Sequence, residues 1–155
     1  MIYHTVTFKN QLPISFREDL ERIFFFNARQ SGYSEKIQTS LEKFGLMKIV
    51  EKSNFITLEF DKTNPQCLFA LDGESHKGSL LGVVCYDFLN DICEIYHIAV
   101  EPECAVSGHF ESEMITYRLV EKVRKLAIDK NLSKVFLPYS DKFINVKQKI
   151  LNILE

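Results

Sequence analysis

Apolar positions alternate with polar ones in several short runs of the chain and recur at three- and four-residue steps in others. Met1 to Phe8 alternates and carries Tyr, Val and Thr, which predicts a short strand. Pro13 and Ser15 then precede a helical pattern, with Phe16, Leu20, Ile23 and Phe24 close to one face. Ser15-Phe16-Arg17-Glu18 fits a capping box, in which the serine hydroxyl accepts a bond from the third helical amide and the glutamate reaches back. The helix should fade near Gly32. Ser34 begins a second expected helix, with Ile37, Leu41 and Phe44 on one face and Gly45 as its stop.

A run of strands follows in the pattern. Leu46–Val50 and Phe55–Phe60 come first, and Asp61-Lys62-Thr63-Asn64-Pro65 reads as a turn. Cys67–Leu71, Leu80–Phe88 and Ile92–Val100 come next, with a turn at Asn90-Asp91. Together these strands predict an antiparallel meander. After Pro102 the period changes. Glu111 to Lys130 predicts a long amphipathic helix with Ile115, Leu119, Val123, Leu126 and Ala127 along one face. A strand is expected at Lys134–Leu137, and a final helix from Asp141 carrying Phe143, Val146, Ile150 and Leu154. If Ile92–Val100 and Lys134–Leu137 are neighbours, the helical crossover between them requires them to run parallel. The expected fold class is therefore α/β or α+β: a mixed, mostly antiparallel sheet flanked by helices, with one parallel pair after the long helix.

Composition narrows this picture only slightly. The 155 residues suit one domain, spanning 1–155, and 46% hydrophobic content with 12% aromatics supplies a real core. A net charge of −2 argues against a dedicated nucleic-acid binder. The start MIYHTVTFKN has no basic segment followed by an apolar run, and no apolar stretch approaches a membrane-spanning length, so neither a secretory signal nor a transmembrane helix is expected. Cys67, Cys85, Cys93 and Cys104 form no CxxC pair, so no metal site is expected, and reduced thiols in a cytoplasmic protein are.

The segment Cys93-Glu94-Ile95-Tyr96-His97-Ile98-Ala99-Val100-Glu101-Pro102-Glu103, followed by a long helix and the strand Lys134-Val135-Phe136-Leu137, resembles the GNAT superfamily of N-acetyltransferases. The likeness spans roughly Cys67 to Leu137. In that family an apolar strand ending in AVxPxxR leads into the loop [RQ]-x-x-G-x-[GA] and then a helix. The resemblance implies that backbone amides at the helix start bind the pyrophosphate of acetyl-coenzyme A (acetyl-CoA), with glycines permitting close approach. On this chain the loop falls at Ala105-Val106-Ser107-Gly108-His109-Phe110, where Gly108 matches and Ala105 and Phe110 depart from the pattern. The implied cofactor-binding set is Val100, Ser107, Gly108, His109, Phe110 and Glu111. Four glutamates (101, 103, 111 and 113) and no Lys or Arg lie between 101 and 113. A unit charge about 6 Å from the pyrophosphate would repel it by about 3 kcal/mol at an effective dielectric near 20.

Acetyl transfer to an amine needs a base for the ammonium proton, donors for the thioester carbonyl and an acid for the leaving thiolate. The resemblance implies a glutamate base at Glu94, on a strand face expected to include Tyr96 and Ile98. A solvated strand start is the structural alternative for Glu94. The family acid is a tyrosine in the helix after the last parallel strand. Here Tyr139 is the nearest substitute, with a loop-anchoring role as its alternative. The family usually adds two final strands, for which the pattern leaves no place. Cys93 and His97 are four apart on one strand, so they are expected on one face but about 13 Å apart, too far to work as a pair. Phe24, Phe25 and Phe26 cannot all face one core, so at least one ring is expected at the surface or an interface, a homodimer contact being favoured over a substrate wall. The reading is an acyl-CoA-dependent N-acetyltransferase acting on a small-molecule or peptide amine, with no nucleic-acid or membrane partner. The alternative is a catalytically inactive GNAT-fold interaction or regulatory module, dimeric through the same phenylalanines.

Overall fold

A computed structural model describes residues 6–25, 45, 47–61, 63, 65–73, 78–101, 109–138 and 142–147; within these, the side chains of 24, 25 and 109–113 are not described. The fold is mixed α+β. Strand β1 (Val6–Lys9) and the short β2 (Leu12–Pro13) lead through a 3-10 turn (Ile14–Phe16) into α1 (Arg17–Phe25). Then come β3 (Met47–Lys52), β4 (Phe55–Phe60), β5 (Gln66–Asp72), β6 (Ser79–Leu89) and β7 (Ile92–Val100). Helix α2 (His109–Asp129), β8 (Lys134–Phe136) and β9 (Phe143–Asn145) complete the described elements.

The strands form two sheets rather than one meander. The larger has the order β1-β5-β6-β7-β8-β9, and the smaller β2-β4-β3. Strands β3 and β4 leave the main sheet because the chain doubles back at a Phe60↔Thr63 bridge before Pro65, and the edge of β5 is taken by β1. Every pairing in the large sheet is antiparallel except β7·β8, which is parallel as the crossover through α2 demands.

Each face of the large sheet has its own core. On one face α2 lays Ile115, Leu119, Val123 and Ala127 against Leu81, Val84, Ile95 and Val135. Gly82 makes this approach possible: a Cβ there would sit 3.0 Å from the Ala99 carbonyl oxygen and 3.2 Å from Leu119 Cδ1. Asn131, at φ 59°, ends the helix in the left-handed conformation, and the Leu132 amide donates to the Ala127 carbonyl at 2.9 Å. On the other face α1 and the small sheet bury Leu20, Ile23, Ile56, Leu58 and Phe60 against Phe69, Leu71, Val83 and Tyr96.

Two local expectations are corrected. Ser15 lies inside the 3-10 turn, Pro13 occupies its N-cap without a side-chain bond, and α1 starts at Arg17. Over the described residues 142–147 the helix expected from Asp141 gives way to β9, antiparallel to β8, with Ile144 opposite Val135, while Ile150 and Leu154 lie outside the described residues. Its burial runs exposed, buried, exposed, with Val146 buried beyond, so the period is two. The sheet thus gains a strand after the parallel pair. The expected helix from Ser34, Cys104 and Phe26 lie outside the described residues, as do the side chains of Phe24 and Phe25. Among the described residues no helix is long and apolar enough to cross a membrane.

Candidate active site

The β6–β7 hairpin sets the site. Its two-residue turn, Asn90-Asp91, takes Asn90 to φ 52°, and the ladder runs outward as Leu89↔Ile92, Phe88↔Cys93 and Asp87↔Glu94. The turn is tied down by Ser133, whose hydroxyl donates to Asp91 Oδ2 at 2.8 Å and whose amide donates to the Asp91 carbonyl at 2.9 Å. Asp87 and Glu94 therefore stand side by side on the α1 face of the sheet. On the other flank Glu94 is opposite Phe136 of β8. The Phe136 ring lies 5.4 Å from that of Phe143, and Lys134 Nζ sits 4.3 Å above the Phe143 ring. Glu94 is half-buried between a second carboxylate and an aromatic wall, not at a fully solvated strand start.

One residue farther on, β7 bulges. Ile95 pairs with Tyr86 and His97 with Cys85, so Tyr96 is an extra residue in the ladder. The bulge moves both Tyr96 and His97 to the α1 face and sends Ile98 to the α2 face. Glu94 thus shares its face with Tyr96 but not with Ile98, and Cys93 and His97 lie on opposite faces of the sheet. Tyr96 meets Phe60 edge-on at 5.8 Å. Burial raises its phenol above the ordinary pKa of 10.0, and the charges of Asp87 and Glu94 add to the effect. At neutral pH Tyr96 offers a hydrogen-bond donor rather than a charge. Cys93, buried in the α2 core, is pushed up to about 12 by desolvation.

The parallel ladder ends at Glu94↔Phe136. Beyond Glu94 the ladder of β7 with β6 continues to Val100. Val100 closes β7 opposite Gly82, and the Glu101 amide adds one more bond, to the Leu81 carbonyl at 2.8 Å. Glu101 is buried, its side chain 8% exposed, and is bonded by the guanidinium of Arg22 from α1. That bond is the main cause of a raised Arg22 pKa. Of the four glutamates counted against an anion, Glu101 is thus already neutralised. Glu103 lies outside the described residues.

His109, Phe110 and Glu111 are the first residues of α2, which starts two positions earlier than the pattern indicated. Ser107, Gly108 and Tyr139 lie outside the described residues. Among the described residues no group of three His, Cys, Asp or Glu gathers as a metal site. The residues missed in the sequence are Asp87, Phe136 and Phe143. The Asp87–Glu94 pairing was signalled, since both are equidistant from the two-residue turn. No family model, curated protein or solved structure matches the chain.

Proposed function

We propose that the chain is a GNAT-like N-acyltransferase that moves an acyl group from acyl-coenzyme A to a cationic amine, with Glu94 as the base. The observation that carries this reading is the parting of β7 from β8 just beyond Glu94. The parallel ladder stops at Glu94, and an extended amide-bearing ligand suits the end of such a ladder. The arm of coenzyme A carries two secondary amides between its pyrophosphate and its thioester. Placed beyond the end of that ladder, it runs from the base at Glu94 toward the start of α2, where helix-terminal amides favour phosphate. Asp87 and Glu94 attract an ammonium, and the Phe136 ring offers it a π-face, while Lys134 already engages the Phe143 ring. Glu94 takes the proton that must leave before the amine attacks the thioester carbonyl.

A thermal-melt titration with acetyl-CoA tests the cofactor. Saturation at 100 times Kd stabilises by about 2.7 kcal/mol, and no shift at millimolar cofactor overturns the reading. Glu94→Gln is expected to retain the melt shift while acyl transfer to a panel of amines, followed as free thiol released, falls by about 10²- to 10⁴-fold. An unchanged rate removes Glu94 from the mechanism. Ala105 and Phe110, which depart from the family loop, favour a second reading: a non-catalytic module of the same fold that self-associates. It predicts a dimer in sedimentation and no thiol release with any amine.

A further inference from the structure

Strands β5 and β6 place Cys67 directly opposite Cys85. Both side chains enter the core on the α1 face, and both thiols are free. Directly opposed residues of an antiparallel pair have Cα atoms about 4.5–5.5 Å apart, inside the roughly 4.4–6.8 Å that a disulfide spans. The backbone therefore already holds this dithiol at bridging separation.

The two thiols differ in access and in acidity. Cys85 is completely covered, at 0% exposure, whereas Cys67 retains 3% and lines a cavity of about 300 Å³ where the two sheets meet. Asn10, Gln11, Gln66 and Lys52 also line that cavity. Thr57, from β4, donates its hydroxyl to Cys67 Sγ at 3.9 Å. A hydrogen bond from Cys85 lowers the Cys67 pKa, Thr57 adds to the effect, and the same bond together with burial raises Cys85. A thiolate forms more readily on the reachable sulfur, and the covered one keeps its proton.

We propose that Cys67 is a site of thiol–disulfide exchange for a small peptidyl disulfide entering this cavity, and that Cys85 resolves the adduct into a Cys67–Cys85 disulfide. The Cys67 thiolate attacks one sulfur of the incoming disulfide, forms a mixed disulfide and expels a thiolate. Cys85 then gives its proton to that leaving thiolate and attacks the Cys67 sulfur, and the second small thiolate departs with a proton from water. The protein is oxidised by two electrons and one small disulfide is reduced to two thiols. The amides of Asn10, Gln11 and Gln66, with apolar walls from Phe55, Ile56 and Pro65 and the Lys52 ammonium that also pairs with Glu59 at 3.1 Å, suit an oxidant bearing peptide groups, so glutathione disulfide is the probe. This site uses none of the groups assigned to acyl transfer and stands whether or not that reading holds.

The test uses the full chain carrying Cys93→Ala and Cys104→Ala, so that Cys67 and Cys85 are its remaining thiols. After incubation with glutathione disulfide and alkylation, tryptic mapping is expected to show residues 63–77 joined to residues 78–118. Both free thiols are lost, and the intact mass falls by two hydrogens. Cys85→Ala in the same background is expected to stop at the glutathione adduct on Cys67, and Cys67→Ala to leave Cys85 unmodified. Retention of both free thiols overturns the proposal, as does a stable adduct on Cys85 or a Cys67 adduct that never resolves. If the Cys85→Ala chain does not fold, the cross-link in its parent still decides.

Discussion

The two faces of the large sheet are built from the same strands and do different work. The α2 face is hydrocarbon almost throughout, and its titratable members, Cys93 and Tyr86, are both pushed up to about 12 by burial and stay neutral. The α1 face carries Asp87, Glu94, Tyr96, His97, the Cys67–Cys85 pair and, just past β7, Glu101 with its partner Arg22. A 21-residue helix covers the first face, while a short helix and a small three-stranded sheet cover the second. A long amphipathic helix excludes water along its whole length, so charge beneath it is expensive. Two shorter covers meet at seams, and polar groups survive there because partners and solvent can reach them. The apolar packing and most of the ionisable side chains are thus separated by one layer of sheet.

The comparison is broken most forcefully from the packed side. Leu119 is fully buried under α2, and Leu119→Ala is expected to cost about 2–5 kcal/mol in urea denaturation. A loss well below that range would mean the α2 face is not the main store of stability. Alkali should act on the same face. Cys93 has an ordinary pKa of 9.0 and Tyr86 of 10.0, each about 12 when folded. Their contribution is whole below the lower values and is lost as pH rises toward 12, because the unfolded chain ionises first. The slope is about 1.4 kcal/mol per pH unit for each group over its own interval. Stability measured from pH 8 to 11 checks this, and Cys93→Val should make the fall between about 9 and 10 less steep, the remainder there coming from Cys85, which its Cys67 bond and burial also raise.

Effects on the other side are smaller. Arg22→Ala leaves the Glu101 carboxylate without its guanidinium, at a cost of about 1–3 kcal/mol. Adding Glu101→Gln should recover part of that loss, and strict additivity in the double-mutant cycle would show that the pair is not coupled. Smallest of all, Lys122 Nζ lies 5.0 Å over the Phe8 ring at the rim of the α2 face. Lys122→Ala is expected to cost about 0.5–1 kcal/mol, measured by thermal melting.

Much of the local structure was legible in the residue pattern. Phe55–Phe60 and Ile92–Val100 are strands with the limits that alternation indicated, and Ile115, Leu119, Val123 and Ala127 form the buried stripe of α2. The turn at Asn90-Asp91 was readable too, and with it the Asp87–Glu94 pair. The segment after Asp141 misled because Phe143 and Val146, three apart, fit a helical face as well as they fit a strand followed by a turn. Only the unpaired edge of β8 favoured extension there.

Period and turn chemistry act over a few residues, so the sequence by itself determined most of the strands, the long helix and the hairpin turn that sets Glu94 opposite Asp87. It did not determine which sheet β3 and β4 join, since their pattern suits either. Nor did it reveal the bulge that separates Tyr96 from Ile98, the pairing of Cys67 with Cys85, or the guanidinium from α1 that neutralises Glu101. Each depends on contacts between segments distant in sequence, whose register is settled by packing across the sheet. The end of the β7·β8 ladder is of the same kind: β8 runs only three residues, Lys134–Phe136, each paired on its other side with β9.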